Sequence, residues 1–147
     1  MKKLGNNKGA AAVEFALVII PLLIIVFGII EFGLLMYNQQ VLTNAAREGV
    51  RRGIVQATPR IPISNGTDGI VDVVHNYADA HLITFSATPT TLNVDVKVNG
   101  STGICIAFAD NLSVRVTYPY TFLVVQNFMP GLGSSLTLSS EAVMKCE

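Results

Sequence analysis

The sequence predicts an α+β protein. A long N-terminal transmembrane helix continues into a small exported domain with a second helix and a three- or four-stranded, mainly antiparallel sheet. Three observations carry this. Residues 10–30, AAAVEFALVIIPLLIIVFGII, hold one charged residue, Glu14, in 21. The C-terminal half contains segments that alternate apolar and polar side chains, the period of a half-buried strand. Half of the 147 residues are hydrophobic and only 14% are charged, against about 25% in an ordinary soluble domain.

Each element follows in order. A helix over residues 10–30 is about 31 Å long at roughly 1.5 Å per residue, the thickness of a bilayer core. Apolar character persists through Phe32, Leu34, Leu35, Met36 and Tyr37, which extends the membrane segment to about 10–36. The preceding MKKLGNNKG is short and basic. The net charge is zero, and Lys2, Lys3 and Lys8 supply three of the ten basic residues. Lysines on that side keep the N-terminus cytoplasmic and export the remainder. A removed secretory signal fits less well. Its apolar core is about 7–15 residues with small residues after it, whereas Ala10, Ala11 and Ala12 come first and YNQQVLTNAAREG continues the helix.

Glutamates in such a helix need a reason, since an ionised side chain near the bilayer centre costs about 2.5–3.5 kcal/mol. Glu14 either reaches the interface, helped by the helix dipole, or meets a cation on a neighbouring chain. Glu31 reads as a mark of the far interface. Ala45, Gly49 and Gly53 recur every four residues and form a small-residue stripe suited to close packing, against a neighbour or against the chain's own exported part. Arg47, Arg51 and Arg52 read as a solvated basic cluster. Pro21 predicts a kink unless absorbed locally, and Pro59 and Pro62 end the helix at about residue 57.

Beyond it, SNGTDG (64–69) is a loop, and Thr67 or Asp68 caps a second helix over about 68–83. Its apolar face is Ile70, Val74, Tyr77 and Leu82, with Val71 and Ala78 alongside. LNVDVKV (92–98) alternates cleanly, Asn99-Gly100 is a turn signal, and ICIAF (104–108) is open between a strand and a loop packed on the core. LSVRVTY (112–118) alternates again, FLVVQNFMPGLG (122–133) is an apolar crossover, and SLTLSSEAVMKC (135–146) returns as a strand. The domain division is thus a leader at 1–9, a helix at 10–57 and an exported domain at 58–147. Cys105 and Cys146 allow one disulfide if the domain lies outside the cytoplasm; the alternative is two buried thiols.

Catalytic groupings are not visible. His75 and His81, six apart, fall on different helix faces, and Asp68, Asp72 and Asp79 read as a polar helix face rather than a metal site. With no CxxC, no Gly-rich phosphate loop and no basic face, the expectation is a protein that is not an enzyme, with no metal, no cofactor, no nucleic acid and no small-molecule substrate. Membrane lipid is an expected contact.

The segment KG–AAAVEFALV resembles a type IV prepilin signal: a basic leader ending in Gly9, then an apolar helix with Glu14 as the fifth residue after it. The continuation is similar to the TadE-like family of the Flp (tight adherence) pilus systems. The resemblance rests on Ala12-Val13-Glu14-Phe15-Ala16-Leu17, Pro21, Phe27-Gly28, Glu31-Phe32-Gly33 and Asn44-Ala45-Ala46-Arg47-Glu48-Gly49. It implies a pilin-like fold and a pseudopilin or minor pilin in a bacterial inner membrane. A prepilin peptidase would cut between Gly9 and Ala10, and Glu14 would neutralise a neighbouring subunit's amine during assembly. It implies other pilins, pseudopilins and the assembly platform as partners, and adhesion as the outcome. The long exported part departs from the very short major Flp pilins. The competing reading is an uncleaved bitopic envelope protein whose exported domain binds a ligand or scaffolds a complex.

Overall fold

A single helix dominates the computed structural model, which describes residues 8–85, 91–124 and 135–147. Most of the expected leader, the 86–91 break apart from Thr91, and most of the 122–133 crossover lie outside the described residues. Helix α1 spans Lys8–Ile54, 47 residues and about 70 Å at roughly 1.5 Å per residue. It runs as one element through Pro21 and ends three residues before the expected boundary. Its two halves differ. Over the most apolar stretch nothing is buried inside the protein. From Glu31 onward, Glu31, Asn38, Val41, Leu42, Ala45, Ala46 and Val50 are buried. These recur three and four apart and form a single stripe, the helical signature of one packed face.

Helix α2 (Ile70–His81) lies on that stripe, burying Ile70, Val74 and Ala78. It starts later than expected, with Gly69 rather than Thr67 or Asp68 at the cap. The loop before it is tied by two side chains instead. The Asn65 side-chain oxygen accepts the amides of Thr67, Asp68 and Gly69. The Asp72 carboxylate accepts the Ser64 hydroxyl and the amides of Asn65, Gly66 and Gly69. The Asn65 amide and the Ser64 hydroxyl, in that order, hold the Asp72 carboxyl below the usual 3.8.

The sheet contains β1 (Asn93–Val98), β2 (Ser101–Thr102), β3 (Asn111–Thr121) and β4 (Ser135–Lys145). Its order is β2-β1-β3-β4, with every pairing antiparallel. The Asn99-Gly100 signal is the β1–β2 turn, with both residues at positive φ, 50° and 85°. Pro119 is tolerated inside β3 because β1 ends opposite Thr117, so β4 is the strand's paired neighbour there. One face of the sheet carries Val96, Leu112, Val114, Val116, Tyr118, Tyr120 and Leu138 into the core. The other is polar, with Asp95, Arg115 and Glu141 side by side across three strands. Arg115 reaches the Glu141 carboxylate at 2.7 Å.

The ICIAF run is not a strand. Cys105 is buried and bonded to Cys146, with the Cα atoms 5.7 Å apart. Ile106 and Phe108, which follow it, point outward, 80% and 84% exposed. The first two residues of the run, Ile104 and Cys105, pack on the core and the last three are exposed, so there is no strand-like alternation.

Candidate functional site

Three zones follow one another along α1. In the first, Gly9 and Ala10 form the exposed start of the helix, and Glu14 stands exposed on its second turn. No hydrogen-bond or ion-pair partner is recorded for Glu14 among the described residues. A Cβ built on Gly9 meets nothing within 4 Å, and the same is true of Gly28 and Gly33. The fold of a single chain therefore sets no steric demand for glycine at any of the three.

The second zone is the bare apolar stretch. Val13, Phe15, Leu17, Val18, Ile20, Ile25 and Ile29 are each more than half exposed. A monomeric soluble protein rarely presents an apolar surface of this extent. This helix is long and apolar enough to cross a membrane.

The third zone joins helix to domain. Glu31 is 4% exposed. Its carboxylate accepts the amide of Leu123, and that of Val124 at 3.2 Å. Read from sequence as an interface marker, Glu31 thus also holds the backbone that leaves β3. Two turns on, fully buried Asn38 clamps the chain that leaves α2: its amide donates to the Ile83 carbonyl at 2.8 Å, and the Ile83 amide donates back at 3.0 Å. Neither role is visible in sequence, because the partners lie 92 and 45 residues away. A Glu31→Ala change leaves two amides without their acceptor. At about 1–3 kcal/mol for each unsatisfied group, and with both bonds only partly buried, the C-terminal domain should lose about 2–4 kcal/mol in denaturant unfolding in detergent micelles.

Further along, Ala45, Gly49 and Gly53 face the chain's own domain. A Cβ on Gly49 would run into the Val74 side chain; one on Gly53 would stand 2.7 Å from Ile70 Cδ1 and close against Leu112. The small-residue stripe is therefore the floor on which α2 and β3 rest. Gly49→Val should destabilise the domain by about 3 kcal/mol, the upper range for overpacking a core. Gly28→Ala, with open space around it, should leave domain stability unchanged. Parallel urea titrations of the two variants check the contrast.

The basic cluster divides. Arg51 pairs with Glu48 at 3.2 Å, while Arg52 bridges to Asp68 and to its carbonyl, fastening the end of α1 to the loop before α2. Asn65 first, and Arg52 also, hold the Asp68 carboxyl below its ordinary value. His75 sits 3.7 Å from Asp79 and His81 stacks on Tyr77, so the two imidazoles serve different neighbours. Among the described residues no group of three or more His, Cys, Asp or Glu side chains is placed to hold a metal ion.

Residues 9–51 match the family model described as TadE-like protein. Searches of curated proteins and of solved structures return no match. The matched segment runs from Gly9 through Glu14, the bare apolar stretch and Glu31 to the start of the helix's last turn.

Proposed function

We propose that this chain is a structural pseudopilin or minor pilin of a Tad/Flp-type pilus system rather than an enzyme. In this reading a prepilin peptidase removes residues 1–9, and α1 holds the subunit in the inner membrane with its domain exported. The bare half of the helix then packs among the helices of other pilins or pseudopilins on the assembly platform. The exported domain supplies contacts to those partners, and adhesion is the outcome.

The observation that carries the reading is the division of one continuous helix. Its second half packs one full face against the chain's own domain. Its first half contains the TadE-like start, an exposed Glu14, and glycines at 9, 28 and 33 that the monomer does not require. Lipid covers an apolar surface but asks for neither a carboxylate nor glycines. Neighbouring helices ask for both: small residues allow close approach, and a carboxylate shared with another subunit's amine is far cheaper in lipid than either charge alone. Replacing Glu14 by Ala tests this: assembly should be lost while membrane insertion is kept. An uncleaved anchor whose domain binds a ligand or scaffolds a complex would be indifferent to the change.

A further inference from the structure

The exported domain has a chemically distinct end. Ile83 is bound to Asn38, Leu123 to Glu31, and Leu136 pairs in register with Tyr120. The chain leaving α2, the chain leaving β3 and the start of β4 therefore converge where α1 emerges from its apolar stretch. Ile83, Phe85, Leu123 and Leu136 are left 36–47% exposed. Phe32, Met36 and Tyr37 are exposed on the helix beside them. The described stretches that contribute this end, residues 32–46, 82–85, 91–94, 116–124 and 135–140, contain no Asp, Glu, Lys or Arg. Glu31 is there, but its carboxylate is buried against two amides. At the opposite end Arg51, Arg52, Arg60, Asp68, Asp110 and Glu147 gather around the end of α1 and the start of α2.

We propose that this uncharged apolar end is seated in the outer interfacial layer of the bilayer that α1 crosses. The proposal rests on α1 being a membrane helix. Continuity selects lipid as the occupant: Leu123 is bonded to Glu31, the residue directly after the apolar run, so it lies within one helical turn, about 5.4 Å, of where that run ends. A chain that crosses the membrane by this helix brings Leu123, Phe85 and Tyr37 to headgroup level, where apolar and aromatic side chains partition favourably. The domain is then a foot standing on the membrane rather than a head on a stalk, and extracting the subunit means lifting this foot as well as the helix.

The chain contains no tryptophan, so single-tryptophan variants report position directly. Full-length Phe85→Trp, Leu123→Trp, Phe108→Trp and Ile20→Trp chains are reconstituted in vesicles of phosphatidylethanolamine and phosphatidylglycerol, with and without brominated acyl chains. All four sites are exposed, and absence of free thiol on titration verifies that each domain is folded with its disulfide closed. The expected result is loss of Phe85→Trp and Leu123→Trp emission in brominated vesicles with protection from aqueous iodide, and the reverse for Phe108→Trp at the far end. Iodide quenching of the two foot variants equal to that of Phe108→Trp, with Ile20→Trp still quenched by bromine, would overturn the lipid seat and leave the membrane helix standing. Protection of the foot from both quenchers would assign it to a protein partner and also overturn the proposal. Bromine quenching absent even at Ile20→Trp would remove the membrane helix and the foot together.

Discussion

A Glu14→Ala chain is expected, on the pilin reading, to enter the membrane, fold its C-terminal domain and fail to enter an assembled fibre. Insertion should survive because the change removes the one charge from the apolar run. Its removal lowers the cost of burial by about 2.5–3.5 kcal/mol on insertion scales. Folding should survive because the packed stripe begins at Glu31, 17 residues further on, and Glu14 is exposed. On the proposed role of Glu14, assembly should fail because a neighbouring subunit's amine would be left in lipid without its counter-charge. Removing one partner of a buried pair costs about 3–5 kcal/mol, and each 1.4 kcal/mol is about tenfold in an equilibrium. Every subunit contact would weaken by roughly two to three and a half orders of magnitude. Fractionating cells into sheared surface fibres and membranes, and blotting both for this chain, measures the outcome. Loss from the first fraction with retention in the second is the expected pattern; unchanged incorporation contradicts the role given to Glu14.

Removing the disulfide should have the largest effect on stability. Cys105 and Cys146 are 41 residues apart in sequence. In the chain-entropy estimate a closed loop of that length contributes about 4 kcal/mol. Small domains have about 5–15 kcal/mol in total, so a Cys105→Ala/Cys146→Ala chain would lose a large share. The consequence is local as well. The bond fixes the 103–110 loop against the end of β4, where the Ala109 amide donates to the Cys146 carbonyl and the Cys146 amide to the Asp110 carbonyl, at 3.0 and 2.8 Å. The expected result is a lower urea midpoint and faster proteolysis within that loop, with α1 still inserted. A midpoint shift worth less than about 1 kcal/mol would contradict the estimate.

The elements with a strong period were legible in the sequence. The apolar helix, the alternation of LNVDVKV and LSVRVTY, the Asn99-Gly100 turn and the returning strand all stand close to where the pattern puts them. What sequence could not supply was the set of contacts between distant segments. Glu31 and Asn38 are polar residues on an otherwise apolar helix face, and their partners are backbone groups of other elements, which leave no mark in composition. Of the two readings left open for the ICIAF run, the loop packed on the core is the one that forms, with Cys105 held inside by the disulfide and Ile106 and Phe108 turned outward. Helix α2 starts at Ile70 because Asn65 and Asp72 use their side chains to close the loop, which displaces the expected cap. Of the candidate site, the order Gly9, Glu14 and small-residue stripe was legible. The division of labour along α1 was not, since it depends on where the folded domain stops.

The measurement that bears most directly on the pilin reading is intact-mass and N-terminal peptide mass spectrometry of the chain taken from native membranes. A mature chain beginning at Ala10, methylated or not, is the predicted result. A chain that retains residues 1–9 in cells with an active prepilin peptidase would contradict it and make this protein an uncleaved membrane anchor.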